Sequence, residues 1–251
     1  MAPALAPAAL FGLLIGSFLN VVAWRLPRGE SLVKPRSKCP GCGAAVKPYD
    51  NVPVVSWLLL RGRCRGCGER ISARYPVVEA ATAILYVSVV AAELHDPLKL
   101  ALGLALVTFL VPLAVIDLDH RKIPNVLTGP AAVAALALGL AIDPSFVPEQ
   151  LAAGLAAGGF FFVAAWLKPK GMGMGDVKLA GVLGLYLGRA VAPAIFAALI
   201  LGVLVGAAII ARVGATQGRK TKVPFGPFLA LGALVAFFAG DALVDAYLSR
   251  F

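Results

Sequence analysis

The chain has 251 residues, of which 60% are hydrophobic and only 14% are charged, and its mean hydropathy is +0.87. Soluble domains are near half apolar and about a quarter charged, so this composition excludes an ordinary soluble domain and indicates an integral membrane protein. The formal net charge of +10 comes mainly from residues 25–75, which form a basic loop with eleven Lys or Arg and three acidic residues.

Apolar segments close to the roughly 20 residues that a helix needs to cross the hydrocarbon layer recur along the chain. They predict an all-α polytopic membrane protein with about eight transmembrane helices. The weakest segment is 177–192, because it is short and contains Arg189, whose side chain must reach the membrane surface. The predicted segments are 4–23, 77–92, 98–116, 125–142, 150–167, 177–192, 193–211 and 225–247.

The charges at the ends of these segments predict an orientation. Arg25 and Arg28 follow the first segment rather than precede it, so we expect a retained first helix instead of a cleaved signal peptide. Further basic clusters lie at the ends of alternate segments, at 120–122, 168–170 and 212–222. Because Lys and Arg gather in loops that stay in the cytoplasm, the basic loop is expected there and both termini outside. This rule explains the positive charge without a nucleic-acid partner, and we expect none.

The basic loop also contains all four cysteines of the chain, in two pairs of the form C-x-x-C-G. Two such pairs are typical of a closed, structural zinc site, because the glycines let the chain turn tightly around four thiolates. Stable disulfides are disfavoured in a reducing compartment, and metal-free or redox-active thiols and an iron site remain as alternatives. The loop has few aliphatic residues, so metal binding would supply its folding free energy. The predicted ligands are Cys39, Cys42, Cys64 and Cys67.

The segment AVIDLDHRKIPN, residues 114–125, places two aspartates at the end of the third predicted span. Asp117 and Asp119 are about 200° apart around a helix, so only one of them can point into a helix bundle. We expect the deeper Asp117 to point inward and Asp119 to be solvated or salt-bridged at the interface. Pro124 predicts a sharp turn and the start of the next helix.

A second intramembrane carboxylate, Asp176, follows the glycine-rich segment GMGMG at 171–175. Gly171, Gly173 and Gly175 leave the backbone with little side-chain cover, so an extended peptide can lie against it. Irregular backbone at membrane depth is tolerated where it lines a water-filled cavity. The sequence therefore predicts an open, partly wet site beside Asp176.

Asp117 and Asp176 are both expected at the cytoplasmic ends of their spans. Two carboxylates in one low-dielectric site share a proton, so that one acts as base on a water while the other acts as acid. That is the chemistry of an aspartic protease. Ionisable groups in spans indicate function by default, but from spacing alone a helix cap or an ion pair with Lys178 or Lys122 explains each aspartate equally well.

Five segments, in order and with matching spacing, resemble the bacterial type IV prepilin leader peptidases, which are membrane aspartyl proteases of the GxGD class. The segments are GLLIGSFLNVVAWRLPRG (12–29), CPGCG…CRGCG with ISARYPVVE (71–79), IDLDHRKIPN (116–125), GMGDVKLA (173–180) and VPFGPFLALG (223–232). The resemblance implies that Asp117 and Asp176 are the catalytic pair and that the four cysteines bind metal. We assign supporting roles at the site to Gly173, Gly175 and Lys178.

The resemblance also implies a substrate and a location. Prepilins and pseudopilins would be cut at the cytoplasmic face of the bacterial inner membrane, and the new N-terminus would be methylated with S-adenosylmethionine. No residue is assigned to methyl transfer. The implied organisation is a first transmembrane helix at 1–24, the zinc-binding loop at 25–75 and a membrane peptidase core at 76–251.

Two other classes of function are weighed against the peptidase. A proton-coupled transporter could use the two aspartates as relays, but it predicts inverted repeats and sites near the middle of the bilayer. A membrane-anchored zinc-ribbon module that binds a partner would leave both aspartates without a role. The peptidase is the favoured prediction, because it gives a role to both aspartates and to the four cysteines.

Overall fold

The structure is a computed structural model that describes residues 2–168, 172–218, 221 and 223–250. Within these ranges all regular elements are helices and none is a β-strand, which confirms the predicted all-α fold class. It divides into two compact units, Met1–Asp96 and Pro97–Phe251. The helices are α1 (Ala2–Arg25), α2 (Val55–Leu59), α3 (Arg74–Glu93), α4 (Pro97–His120), α5 (Asn125–Ile142), α6 (Val147–Leu167), α7 (Met174–Leu187), α8 (Val191–Val213), α9 (Ala215–Gly218) and α10 (Gly226–Leu248).

In the first unit, α1 and α3 pack antiparallel at close range because small residues line their contact. A Cβ atom added at Gly12 would lie 2.6 Å from Ala83 Cα, and one at Gly16 would lie 2.8 Å from Glu79 Cα. This G-x-x-x-G spacing lets apolar helices approach closely in lipid, where close packing holds helices together. The amide of Asn20 on α1 also donates to the Tyr75 carbonyl at 3.1 Å.

In the second unit, ion pairs show where the helices end. Arg189 follows α7, and its guanidinium pairs with Asp241 and Asp245 near the end of α10, at 3.2 Å and 2.8 Å. Lys99, at the start of α4, pairs with Asp241 at 2.9 Å. The end of α7 therefore lies beside the start of α4 and the end of α10, and α7 begins at the opposite end of this unit, where Lys178 contacts Asn125.

The helix α8 then returns along α10 in the antiparallel sense. A Cβ at Gly240 would lie 2.7 Å from Ala190 Cβ, and one at Gly232 would lie 3.0 Å from the Ala198 backbone nitrogen. Further along, Gly202 faces Phe228. The helices α7 and α8 are therefore two separate crossings of the unit.

Seven segments in the described residues are long and apolar enough to span a membrane, which makes this a multi-pass membrane protein. The longest, Met174–Val213, contains both α7 and α8, so the eight predicted spans correspond to α1, α3 to α8 and α10. The segment predicted to end at residue 192 ends earlier in the structure. The helix α7 stops at Leu187, because the next residue, Gly188, has φ +53°. With 14 residues, α7 is about 21 Å long, less than the roughly 30 Å hydrocarbon thickness.

One buried polar side chain joins three helices of this unit. Gln150 on α6 is fully buried, and its Nε2 donates to the carbonyls of Ala135 on α5 and Leu185 on α7, at 3.1 Å and 2.8 Å. A Cβ at Gly139 would overlap the Gln150 amide, so that glycine provides its space. Gln150 thus fixes the packing of α5, α6 and α7 away from the aspartates.

Candidate active site

The carboxylates of Asp117 and Asp176 come together at one end of the second unit. Asp117 lies in the last turn of α4 and is only 4% exposed, whereas Asp119 is exposed, as the helix geometry predicts. Asp176 lies in the first turn of α7 and is half-buried beside the exposed Gly173. The two aspartates are close enough for the charge of Asp117 to act on Asp176. They lie at the end opposite to the Arg189 ion pairs.

A third helix holds Asp117 in place. The backbone N–H of Gly226, the first residue of α10, donates to Asp117 Oδ2 at 2.9 Å. A Cβ atom at residue 226 would lie 2.6 Å from the same oxygen, so only glycine allows this approach without movement. The N–H groups in the first turn of a helix lack partners within the helix and favour an anion, which suits this contact. The partner of Asp117 is therefore a backbone amide 109 positions away in the chain.

The contact of Gly226 with Asp117 was not predicted. In the sequence, Gly226 is simply the residue before Pro227 at the start of the last apolar segment. A proline in the first turn marks a helix start, where free N–H groups are available to a ligand or side chain. That signal locates the donor but does not reveal its acceptor, since the contact joins distant parts of the chain.

The glycines before Asp176 differ in what they do. Gly173 precedes α7 in an extended conformation, and its N–H donates to Asp176 Oδ2 at 3.3 Å. Gly175 lets α7 start close to the turn after α4, because a Cβ there would lie 2.9 Å from Ile123 Cβ. Gly171 lies outside the described residues.

Lys178 does not pair with Asp176. Its Nζ donates to Asn125 Oδ1 at 2.9 Å, which connects the first turn of α7 to the start of α5. The ion-pair explanation of Asp176 through Lys178 is therefore wrong, although Asp176 does cap its own helix through Gly173. The cap occupies Oδ2 and leaves the other carboxylate oxygen for chemistry.

A second candidate site lies in the first unit, where the four cysteines converge. All four sulfur atoms lie within 4.8 Å of one another, and Cys39 Sγ is 3.7 Å from Cys67 Sγ. Tetrahedral zinc with Zn–S bonds of about 2.3 Å separates its sulfurs by about 3.8 Å. All four thiols are free of disulfide bonds. The donor set and its spacing fit a four-thiolate metal site, so these cysteines can bind a metal ion.

The two cysteine pairs have the same local geometry. Gly43 N–H donates to the Cys39 carbonyl and Gly68 N–H to the Cys64 carbonyl, both at 2.9 Å. Both glycines have positive φ, +70° and +76°, which explains their place after each pair. The backbone N–H groups of Cys67 and Gly66 lower the pKa of the Cys64 thiol to about 7. The turn therefore favours the thiolate, which is the form that binds metal.

Two family models match the chain: Bacterial Peptidase A24 N-terminal domain over residues 10–92, and Type IV leader peptidase family over residues 104–210. The first range contains the four cysteines, and the second contains Asp117 and Asp176. No solved structure matches the chain significantly.

Curated proteins similar to the chain are named prepilin leader peptidase/N-methyltransferase. The chain is 37% identical to the one from Aeromonas hydrophila over an alignment of 273 positions, which covers 96% of this chain and 93% of that protein. It is 35% identical to the one from Dichelobacter nodosus over an alignment of 268 positions, which covers 92% of this chain and 90% of that protein. With the Myxococcus xanthus protein it shares 39% identity over 220 residues, which cover 85% of this chain and 65% of the relative.

Proposed function

The chain belongs to the type IV leader peptidase family, and on that premise we propose that it is a prepilin leader peptidase that also methylates the new N-terminus of its product. The observation that carries the proposal is that Asp117 and Asp176 lie within electrostatic reach of each other at one end of a helical membrane unit, inside the matched region. A transporter would need its relay groups near the middle of the membrane, whereas both carboxylates lie at one end.

In the proposed mechanism the two carboxyl groups share one proton. The ionised carboxylate takes a proton from a water molecule as the water oxygen attacks the scissile carbonyl carbon. The protonated acid donates its proton to the carbonyl oxygen, which gives a neutral tetrahedral intermediate. Collapse of the intermediate breaks the C–N bond, and the leaving amine nitrogen receives the proton that came from the water. At the same time a hydroxyl of the intermediate returns a proton to the carboxylate that had protonated the carbonyl oxygen. The pair then returns to its singly protonated state.

Backbone contacts prepare the pair for this reaction. The Gly226 N–H fixes Asp117 Oδ2, so Oδ1 is the oxygen left to contact water or substrate. The exposed backbone at Gly173 gives an extended peptide room to lie beside Asp176. We assign Gly173 and Gly175 to the shape of this approach and Lys178, through Asn125, to the position of α7.

Single substitutions test the catalytic pair. Asp117→Asn and Asp176→Asn should each abolish cleavage of a full-length prepilin in membranes while abundance and folding are kept. Asp119→Asn is the matched control, because Asp119 is two residues from Asp117 on the same helix but exposed, and it should cleave at nearly the unchanged rate. Substantial cleavage by either of the first two variants would remove that aspartate from the mechanism.

We propose that zinc occupies the four-cysteine site and that its role is structural. Four thiolates complete the tetrahedral shell, so no position remains for a reacting water. S-adenosylmethionine would be the methyl donor, and we assign no residue to its binding. Mass measurement of the mature pilin N-terminus tests the methylation, since an unmethylated product formed with the donor present contradicts it.

We further propose that the catalytic end faces the cytoplasm of the bacterial inner membrane. Arg121 and Lys122 follow Asp117 at that end, whereas the ion pairs of Arg189 at the other end contain Asp241 and Asp245. Basic residues at the catalytic end agree with the positive-inside rule. The substrates would be prepilins and pseudopilins, whose apolar helix enters from the lipid. A reporter fused after residue 251 should be active only on the outer face; activity in the cytoplasm would contradict the orientation.

A further inference from the structure

The basic loop of the first unit contains a short helix, α2, that presents an apolar face without a partner. Val55, Leu58 and Leu59 are large and exposed, with 78% of the Leu59 surface accessible. The opposite face is fixed to the loop: Ser56 Oγ donates to the Tyr49 carbonyl at 2.9 Å, and Trp57 Nε1 donates to the Ile71 carbonyl at 3.1 Å. The helix is therefore held with its apolar side outward, which is costly in water.

A buried carboxylate sets the depth of α2 relative to the membrane span α3. The N–H of Val54, immediately before α2, donates to Glu79 Oε2 at 2.7 Å. Glu79 is five residues into α3, or about 7.5 Å from its first residue at 1.5 Å per residue. Helices that lie in a membrane interface bury their apolar face about 5–10 Å into the boundary between headgroups and acyl chains. The contact thus places the start of α2 at interfacial depth.

The backbone before α2 is strained, which indicates that this position is specified. Val54 has φ +62°, an unfavourable region for a β-branched residue, and the Val55 N–H donates to the Pro53 carbonyl in a three-residue turn. Such strain persists only where surrounding contacts hold it. Here the hydrogen bond to Glu79 is the contact that does so.

Arginines line a cavity next to α2. The cavity measures about 430 Å³, and its lining includes Trp57, Arg61, Arg63 and Arg70 but no carboxylate among the described residues. Within that part of the chain none of these three arginines forms an ion pair. At the end of α1 in the same unit, the Arg28 guanidinium stacks 3.7 Å from the exposed Trp24 ring, an arrangement suited to the membrane interface.

We propose that α2 is an interfacial helix that inserts Val55, Leu58 and Leu59 into the leaflet where α1 ends and α3 begins. The three arginines beside it bind the phosphate of an anionic phospholipid headgroup. Depth, apolar exposure and uncompensated positive charge together match a lipid surface. The proposal concerns the first unit only and is independent of the peptidase reaction.

Photocrosslinking tests the insertion in the full chain with its metal. We would place p-benzoylphenylalanine at Leu59, or at exposed Lys38 as the control, and irradiate protein in vesicles of phosphatidylglycerol and phosphatidylethanolamine. Lipid adducts should form at residue 59 and at least five-fold less at residue 38. Equal yields at both positions, no lipid adduct at 59, or crosslinks only to an added prepilin would overturn the insertion.

Native mass spectrometry tests the headgroup site. Each basic residue near an anionic lipid surface contributes about five-fold to binding, so Arg61→Gln/Arg63→Gln/Arg70→Gln should weaken retention of phosphatidylglycerol by about 100-fold. Arg212→Gln, an exposed arginine at the end of α8, is the control and should retain it. Unchanged retention in the triple variant, equal retention of phosphatidylcholine, or full displacement by millimolar inorganic phosphate would each overturn a phospholipid site.

Discussion

Replacing Gly226 by Ala tests whether backbone positioning of Asp117 matters for catalysis. The new Cβ would lie 2.6 Å from Asp117 Oδ2 and 3.1 Å from its Cγ, so the carboxylate or the start of α10 must move. Moving the new Cβ and Oδ2 apart to an ordinary van der Waals distance would break or lengthen the 2.9 Å hydrogen bond between Gly226 N–H and Oδ2. Hydrogen bonds to charged groups contribute about 1.5–3 kcal/mol, which corresponds to roughly 10- to 150-fold in rate if the transition state loses one.

We therefore expect Gly226→Ala to lower kcat/KM for prepilin cleavage by about 100-fold. The variant should stay folded while activity falls, because the lost hydrogen bond is one contact among many in this helical unit, and Tm measured beside kcat/KM separates a positioning effect from unfolding. The matched control is Gly129→Ala on α5, where an added Cβ meets nothing within 4 Å and activity should be kept. Cleavage by Gly226→Ala within three-fold of the unchanged enzyme would refute the positioning role, as would an equal loss in the control.

Three further predictions concern stability and the metal site. Gln150→Leu should destabilise the protein by about 1–3 kcal/mol, because the carbonyls of Ala135 and Leu185 lose their donor; an unchanged Tm would contradict this. Arg189→Gln should lower the free energy of unfolding by at most about 1 kcal/mol, because the ion pairs of Arg189 are exposed. The difference in stability between the two proteins should shrink in high salt; a loss that does not depend on salt would contradict the ion-pair explanation. Cys39→Ser/Cys42→Ser should remove one bound metal by elemental analysis, because only two of the four thiolate ligands remain; an unchanged metal content would refute the site.

Much of the fold follows from the sequence because lipid imposes simple rules. Long apolar runs have to be helices, so the eight crossings were predictable, and the error at the end of α7 came from one glycine with positive φ. Helical periodicity showed that Asp117 and Asp119 face opposite ways, and the greater depth of Asp117 in the span identified it as the inward one. The cysteine cluster was predictable because each C-x-x-C-G turn is a local structure that presents its own pair of thiols.

The contacts that were missed join residues far apart in the chain. The donation from Gly226 to Asp117 and the pairing of Lys178 with Asn125 depend on which helices become neighbours, and hydropathy does not specify that. The helix α2 was also not predicted. Five residues are too few for a helical period to show, and the position of α2 depends on Glu79 in another segment.

The shortness of α7 has a consequence for where water meets the substrate. Asp176 and Arg189 are 13 positions apart, or about 20 Å along a helix, which is roughly 10 Å less than the hydrocarbon thickness. If Arg189 lies at one boundary, we expect Asp176 about 10 Å below the other, in a recess that water can enter. In the proposed reaction a peptide bond at the border of a transmembrane segment would then be hydrolysed without first being drawn out of the bilayer.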